Sequence, residues 1–176
     1  PAPKDQAVMS DETNGAVNPN SMSIIVTKGS LDWAYPPFIL GSTAAAMGLD
    51  VTMFFTFYGL PLLLKDLDLK VTPLGNAAMK MPMAGAHMVM PNIVAALPGV
   101  DAMASKMMKN MIKKHGVASI DELRELSIEA DVRMIGCQMT MDLFEYKKED
   151  MIEGIEVGGA ATYIEVATKS HINLFI

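Results

Sequence analysis

The stretch from Asp131 to Phe144 has the sequence DVRMIGCQMTMDLF and changes its hydrophobic period half-way along. The run from Val132 to Ile135 is compact and mostly apolar, and it is too short to be a globular helix. The apolar residues that follow recur at helical spacing, at Met139, Leu143 and Phe144. The stretch therefore predicts a buried strand that runs directly into a helix, with Cys137, the only cysteine of the chain, at the junction.

This position suits a reactive thiol. In a parallel α/β sheet, ligand and catalytic sites gather at the carboxyl ends of the strands. The free N–H groups and the dipole of the following helix favour negative charge there, and the thiolate is the nucleophilic form of cysteine. A free cysteine is, however, also among the most buried residue types and often packs as a small apolar side chain. Position alone leaves both interpretations of Cys137 open.

The composition narrows the class of protein. A chain of 176 residues fits one domain with a sizeable core. Acidic residues outnumber Lys and Arg by 20 to 14, the net charge is -6, and no dense basic run is present, so nucleic acid is not expected as a partner. A single cysteine excludes an intramolecular disulfide, and neither a CxxC pair nor a basic, apolar signal segment is visible. The expected compartment is the reducing cytoplasm.

The order of the patterns predicts a single doubly wound, flavodoxin-like α/β domain with about five mostly parallel strands and helices on both faces. Residues 1–21 are polar and rich in turn formers, which predicts a disordered tail before a domain at residues 22–176. Strands are predicted at 23–28, 51–57, 132–137 and 171–176, with a weaker candidate at 69–74. Helices are predicted at 33–47, 59–67, 101–115, 119–130, 139–144 and 160–169.

Residues 76–100 form a Met- and Pro-rich insertion in this pattern. Five methionines surround His87, at Met79, Met81, Met83, Met88 and Met90. Thioethers and imidazole suit Cu(I), but methionine equally serves an adaptable apolar loop or interface. The segment is uncharged from Met81 to Val100, yet its prolines argue against a membrane-spanning helix. A lid, a binding loop or an oligomer contact is the favoured interpretation, and no metal site is assigned.

Three parts of the chain resemble the DsrE/DsrF-like family of sulfur-relay proteins, in particular its DsrE2/DsrE3-type branch. They are SIIVTKGSLD at 23–32, VTMFFTFYGL at 51–60, and RMIGCQMTMDLF at 133–144 with EGIEVGGA at 153–160. The resemblance implies a parallel α/β fold, homo-oligomerisation, and a strand-end cysteine, here Cys137, that carries sulfane sulfur as a persulfide or a thiosulfonate. It also implies partners among sulfur-relay proteins of the TusA-like or rhodanese-like kind, and no cofactor. This chain lacks the second cysteine that some relatives have.

Four further residues are candidates for binding the substrate. Gln138 and the backbone N–H groups after it are placed to hold a persulfide or sulfonate anion. Lys28 can add positive charge at the same edge, although a solvated lysine is the other interpretation. Gly29 and Ser30 follow the first strand beside it, but no nucleotide-binding glycine motif is present. The predicted function is a sulfur carrier; the rival is a non-catalytic Met-rich protein that binds copper or a partner, with possible membrane association.

Overall fold

The structure is a computed structural model that describes residues 16–72, 76, 80–83, 86–89 and 91–176. Its strands are β1 (Asn18–Val26), β2 (Asp50–Phe55), β3 (Lys80–Met83), β4 (Ala86–Val89), β5 (Arg133–Cys137), β6 (Glu156–Gly158) and β7 (Ser170–Phe175). Its α-helices are α1 (Leu31–Ala46), α2 (Asn92–Ala95), α3 (Val100–Lys114), α4 (Ile120–Glu129), α5 (Gln138–Phe144) and α6 (Ala160–Lys169). Short 3-10 helices cover Phe57–Leu63 and Lys148–Asp150.

The main sheet has the strand order β6-β5-β2-β1-β7, and every neighbouring pair is parallel. The chain adds β2, β5 and β6 on one side of β1 and then returns to the other side for β7. Helices connect these strands, as parallel pairing requires. The predicted fold class, a doubly wound α/β domain with five parallel strands, is therefore confirmed.

Helices cover both faces of the sheet. On one face α1 and α4 pack against each other and over the larger core, where the rings of Phe38 and Phe55 lie 5.8 Å apart. On the other face α6 places Tyr163 5.3 Å from Phe54, measured between ring centroids. Alternation along the strands assigns successive residues to opposite faces. Cys137 belongs to the smaller cluster under α6.

The first strand begins inside the segment predicted to be a tail. Residues 1–15 lie outside the described residues, but β1 already starts at Asn18, so the boundary at residue 21 was placed too late. The Asn18 amide donates to the Asp50 carboxylate at 2.8 Å, and the Ser21 hydroxyl donates to the Asn18 carbonyl at 2.6 Å. The polar side chains of Asn18 and Ser21, whose composition predicted a disordered tail, thus stabilise the start of the strand.

The fifth strand is not the one that the sequence indicated. Residues 69–72 are not in a strand, and 73–74 lie outside the described residues; the sheet instead contains β6, Glu156–Gly158. The Lys70 carbonyl accepts from the Leu31 N–H at 2.9 Å, and the Val71 N–H donates to the Ser105 hydroxyl at 3.0 Å. These backbone groups therefore form hydrogen bonds with helices rather than with a neighbouring strand of the sheet. A strand of three residues is too short to produce a periodic signal.

The segment after β2 is a 3-10 helix, Phe57–Leu63, where the sequence predicted the end of a strand and then a helix at 59–67. The extended conformation of the strand does not continue through Phe57, because its φ of 46° lies in the left-handed region. The 3-10 helix lies directly on the end of β1: a Cβ added to Gly59 would be 2.2 Å from the Val26 carbonyl oxygen. This packing places the Phe57–Leu63 segment at the carboxyl edge of the sheet.

The Met- and Pro-rich segment is described in part. It contains the antiparallel hairpin β3–β4, in which Lys80 pairs with Val89 and Pro82 with His87, followed by α2. This hairpin is separate from the main sheet. Met79 and Met90 lie outside the described residues. The predicted roles of this segment, as a lid, a binding loop or an oligomer contact, stay predictions.

Candidate functional site

Cys137 lies at the carboxyl end of β5, which is the second of the five strands and is flanked by β6 and the central strand β2. The register pairs Phe55 with Gly136 and Cys137 with Gly158, so the end of β2 and the end of β6 flank the cysteine at its own level. Thr56, the first residue after β2, therefore lies beside Cys137. The two strands that flank β5 continue into the 3-10 helix Phe57–Leu63 and into α6. The site is assembled from three consecutive strand ends.

The thiol is almost completely buried. Cys137 is 4% exposed and packs in a cluster with Phe54, Ile135 and Tyr163. By burial alone this is the environment of a structural cysteine, and burial is the largest single influence on the pKa of the thiol, which it raises. The apolar cluster by itself thus favours the neutral thiol.

Hydrogen-bond donors around the sulfur outweigh this burial. The hydroxyl and backbone N–H of Thr140, the hydroxyl of Thr56 and the backbone N–H of Met139 stabilise negative charge on the sulfur, and together they hold the pKa of Cys137 below its ordinary value. Cys137 is the N-cap residue of α5, so these backbone N–H groups belong to the first turn, where they have no partner within the helix. The thiol makes no cap hydrogen bond of standard geometry, and the donors act on its pKa from nearby.

Thr140 connects the thiol to the 3-10 helix. Its side chain is fully buried, and its Oγ1 lies 3.2 Å from Oγ1 of Thr56. The backbone N–H of Phe57 donates to the same Thr140 oxygen at 3.1 Å. The hydroxyl therefore satisfies the N–H of a residue in a left-handed conformation while it faces the sulfur.

Two helices begin beside the cysteine. α5 starts at Gln138, immediately after β5, and α6 starts at Ala160, two residues after the register partner of Cys137. The amino ends of helices carry partial positive charge, so both favour an anion at this edge. Gly158 allows α6 to come close, because a Cβ there would be 3.1 Å from Cγ2 of Ile135 and 3.2 Å from Thr162. The arrangement favours a thiolate, a persulfide or another anionic sulfur group on Cys137.

Gln138 is exposed directly beside Cys137 at the start of α5. Its side-chain amide donates to Oδ1 of Asp142 at 2.7 Å, one helical turn further on. An amide has two N–H donors, so one remains for a ligand. The predicted role of Gln138 in holding the substrate stays a prediction.

Lys28, Gly29 and Ser30 lie at the same edge but two strands away, at the end of β1. Strand spacing puts roughly 10 Å between the axes of β1 and β5. The Lys28 ammonium lies 3.3 Å from the ring centroid of Trp33, and the Ser30 hydroxyl donates to Asp32 at 2.8 Å. A Cβ on Gly29 would be 2.2 Å from the Tyr58 carbonyl oxygen. All three residues are engaged in packing the β1–α1 turn, and their role as substrate ligands stays a prediction.

The surface around the buried thiol is apolar and aromatic. We call it the exposed rim, and it consists of Phe57, Tyr58, Met139 and Leu143. Tyr58 is the most exposed of these at 71%, and its ring is stacked on that of Phe144 with 5.8 Å between centroids. Phe144 in turn meets Tyr146 edge to face at 6.2 Å. The stacking holds the 3-10 helix against α5 on the outer side of the site.

Sequence reasoning missed Thr56 and Thr140, the two hydroxyls that act on the sulfur. Both had a weak signal: Thr56 follows the second strand, and Thr140 is three residues after Cys137, one turn into the helix. Neither spacing is distinctive, because Thr is common at strand ends and helix starts. Only the register of β2 against β5 brings the two hydroxyls together.

Other parts of the described chain offer no competing centre of this chemistry. No group of three or more His, Cys, Asp or Glu side chains suited to a metal ion occurs among the described residues. No helix in the described ranges is both long and apolar enough to cross a bilayer. A cleft of about 890 Å³ lies between α1, α3 and α4, and its lining includes no residue of the cysteine cluster.

Comparison with known proteins agrees with this geometry. Over 155 residues, 88% of this chain and 97% of the relative, the chain is 58% identical to the sulfur carrier protein DsrE2 of Allochromatium vinosum. It is 32% identical over 156 residues to the uncharacterized protein YrkE of Bacillus subtilis, covering 88% of this chain and 95% of that one. Residues 18–175 match the DsrE/DsrF/DrsH-like family, which confirms the resemblance found in the sequence. The chain belongs to the DsrE/DsrF/DrsH-like family.

Proposed function

We propose that the protein is a sulfur carrier that accepts sulfane sulfur, or the sulfur of thiosulfate, on Cys137 and passes it to a thiol of another protein. The observation that carries the proposal is the thiol itself: it is buried, yet four hydrogen-bond donors lower its pKa. A purely structural cysteine has no need of donors that stabilise its charged form. The name of the relative from Allochromatium vinosum supports the same role.

Loading requires only attack by a thiolate. The Cys137 thiolate attacks the sulfane sulfur of a persulfide donor, a new S–S bond forms, and the donor leaves as its own thiolate. With thiosulfate as donor, the leaving group is sulfite and Cys137 becomes a persulfide. With tetrathionate, attack on an inner sulfur releases thiosulfate and leaves a sulfonate-bearing adduct on Cys137. In each case the product is an anion at the amino ends of α5 and α6.

Unloading requires a second protein. Cys137 is the only cysteine, so no thiol of the same subunit can accept the sulfur or resolve it as a disulfide. A partner thiolate attacks the terminal sulfur of the Cys137 persulfide, forms its own persulfide and returns Cys137 to the thiolate. The proposed partners are sulfur-relay proteins of the TusA-like or rhodanese-like kind. The protein would thus act as a transferase through its loaded cysteine, in the reducing cytoplasm, where the thiol stays free.

The proposal includes a homo-oligomer. The outer face of α1 is uncharged from Trp33 onward, and it exposes Ile39 and Leu40, as well as Met47 immediately after the helix. A contiguous apolar face of this kind marks an interaction surface. Sedimentation or light scattering at micromolar concentration checks this part, and a monomer under those conditions would contradict it.

Intact-protein mass spectrometry tests the carrier function. The protein is incubated with thiosulfate, tetrathionate or polysulfide, with and without reductant, beside Cys137→Ser, which keeps the size of the side chain. The expected result is an adduct of one sulfur atom, or of a sulfonate-bearing group, that reductant removes and that Cys137→Ser lacks. A wild-type protein that remains unmodified with every donor, or an adduct that persists in Cys137→Ser, would contradict the proposal.

A further inference from the structure

Thr140 occupies a special place between two parts of the molecule. Thr140 is the third residue of α5, which has Cys137 as its N-cap, and its hydroxyl lies 3.2 Å from that of Thr56 and accepts from the Phe57 N–H at 3.1 Å. Thr140 is also completely buried, so water does not compete for these contacts. We propose that Thr140 is a positioning residue, which joins the Cys137 thiolate and the Thr56–Tyr58 turn into one hydrogen-bonded unit and so couples ionisation of the sulfur to the conformation of the turn.

The donor and acceptor capacity of a hydroxyl explains the coupling. A Thr hydroxyl has one proton to donate and two lone pairs. Because the Phe57 N–H donates to the oxygen of Thr140, the single proton of Thr140 is left for the sulfur, to which the hydroxyl of Thr56 also donates. Each hydrogen bond accepted by Thr140 polarises its O–H and strengthens the next bond in the chain. A thiolate on Cys137 therefore favours one direction for every hydrogen bond in this series.

The conformation of the Thr56–Tyr58 turn depends on these hydrogen bonds. Phe57 has a φ of 46°, a conformation that is uncommon for an aromatic residue and that must be stabilised by its surroundings. Its N–H bond to Thr140 supplies that stabilisation from α5. Phe57 and Tyr58 are both in the exposed rim. The charge on Cys137 is thus linked, through one hydroxyl, to the surface that a partner would approach.

Charged side chains do not supply this link. The groups that titrate or carry charge on the elements around the thiol are Asp50 on β2, Tyr58 on the 3-10 helix, Arg133 on β5, Asp142 on α5, Glu156 on β6, Tyr163, Glu165 and Lys169 on α6, and Lys28 after β1. The charged ones have partners elsewhere: Asp50 accepts from Asn18, Asp142 accepts from Gln138, Arg133 pairs with Glu156, Lys169 pairs with Glu165, and Lys28 lies over Trp33. None of these groups of the described chain is a cause of the low pKa of Cys137. Hydrogen bonds remain as the means of coupling.

The test compares four proteins without any sulfur donor: wild type, Thr140→Val, Thr140→Ser and Thr56→Val. Valine has the shape of threonine without the hydroxyl, and serine retains the hydroxyl. With one cysteine, the ultraviolet absorbance of the thiolate, after subtraction of Cys137→Ser, reports the titration of a single group. Amide NMR of Phe57 reports the turn, through its chemical shift and its protection from hydrogen exchange.

The proposal predicts that the Phe57 amide signal of the wild type titrates together with Cys137. In Thr140→Val the thiol midpoint should rise by about one to two pH units, and Phe57 should lose both its titration and its protection. Thr140→Ser should resemble the wild type. Thr56→Val should raise the thiol midpoint while Phe57 stays protected, because the bond from Phe57 to Thr140 is intact.

Two results would overturn the coupling. The first is a Phe57 amide that does not follow the thiol titration in the wild type, which requires no variant to fold. The second is an unchanged thiol midpoint in a folded Thr140→Val. The inference deepens the proposed function by naming what positions its thiol, but the measurements use no sulfur donor. Failure of sulfur loading would therefore leave the coupling intact, and failure of the coupling would leave loading intact.

Discussion

The ends of β1 and β5 lie at the same edge of one sheet, and a helix follows each of them, directly for β5 and after four intervening residues for β1, yet they differ in what their polar groups do. At the end of β5, donors from α5 and from Thr56 converge on one sulfur atom. At the end of β1, Lys28 lies on Trp33, Ser30 bonds to Asp32, and Gly29 lies against the Tyr58 backbone. A strand end becomes a chemical site when donors meet at one atom, and otherwise it serves to pack the turn.

The largest expected effect tests the packing role of the β1 end. Gly29→Ala puts a Cβ 2.2 Å from the Tyr58 carbonyl oxygen, so backbone has to move, and we expect a loss of about 3 kcal/mol in the free energy of unfolding. Ser30→Ala is the control in the same turn. Ser30 makes no side-chain cap bond, so only its bond to the half-buried Asp32 is lost, at about 0.5 kcal/mol. Urea unfolding measures both, and equal losses would contradict this account.

The next effect concerns the β5 end and its dependence on pH. A thiol whose pKa is lowered on folding releases its proton more readily in the folded state, so stability rises with pH between the folded and the unfolded pKa. Relative to Cys137→Ser, the wild type should therefore gain stability as the pH rises towards the ordinary pKa of a free thiol. This gain should be lost as the pH falls through the lowered folded pKa. A stability difference between the two proteins that is independent of pH would show that the donors do not favour the thiolate.

A smaller effect is expected from Gln138, beside the cysteine. Gln138→Ala removes an amide that is placed to hold an anionic sulfur group, and it should slow loading by polysulfide about threefold. Asp142→Asn removes the carboxylate that accepts from the Gln138 amide, so it should speed loading instead, because repulsion of the anionic donor is reduced. Loading rates by mass spectrometry distinguish these directions. The same direction in both variants would mean that helix packing, rather than charge, controls the rate.

The smallest effect is expected at Lys28. Lys28→Gln removes the contact with the Trp33 ring, worth about 0.5–1 kcal/mol at an exposed position. The thiol titration should stay unchanged, because Lys28 is not among the causes of the low pKa of Cys137. A higher thiol midpoint in Lys28→Gln would instead show that the β1 end contributes charge to the site, which is one of the two interpretations of Lys28 that the sequence left open.

The sequence was sufficient for the fold class and for the cysteine. The change of hydrophobic period at Gly136–Gln138 is local, and the structure has β5 ending at Cys137 and α5 beginning at Gln138. The helix predicted at 119–130 is likewise present as α4, and it begins with a capping box in which the Glu122 N–H donates to the Ser119 hydroxyl at 3.2 Å. These features depend on residues that are close in the chain.

Features that depend on distant residues were not predictable. Thr56 and Thr140 are 84 residues apart, and only the pairing of β2 with β5 makes their hydroxyls neighbours. β6 is too short for a pattern, while residues 69–72 had a strand-like composition whose backbone groups bond to α1 and Ser105. Local periodicity thus placed Cys137 at the end of a strand but did not reveal the groups that lower its pKa.

The most direct test of the central claim is transfer from the loaded protein. Cys137 is loaded with one sulfur atom, freed of donor and mixed with a small thiol acceptor, and both partners are followed by mass spectrometry. Because the Sγ atom is buried, the acceptor should attack only the terminal sulfur. The account predicts an acceptor persulfide and an unmodified Cys137. Hydrogen sulfide release with a mixed disulfide on Cys137, or a loaded protein that transfers nothing, would contradict it.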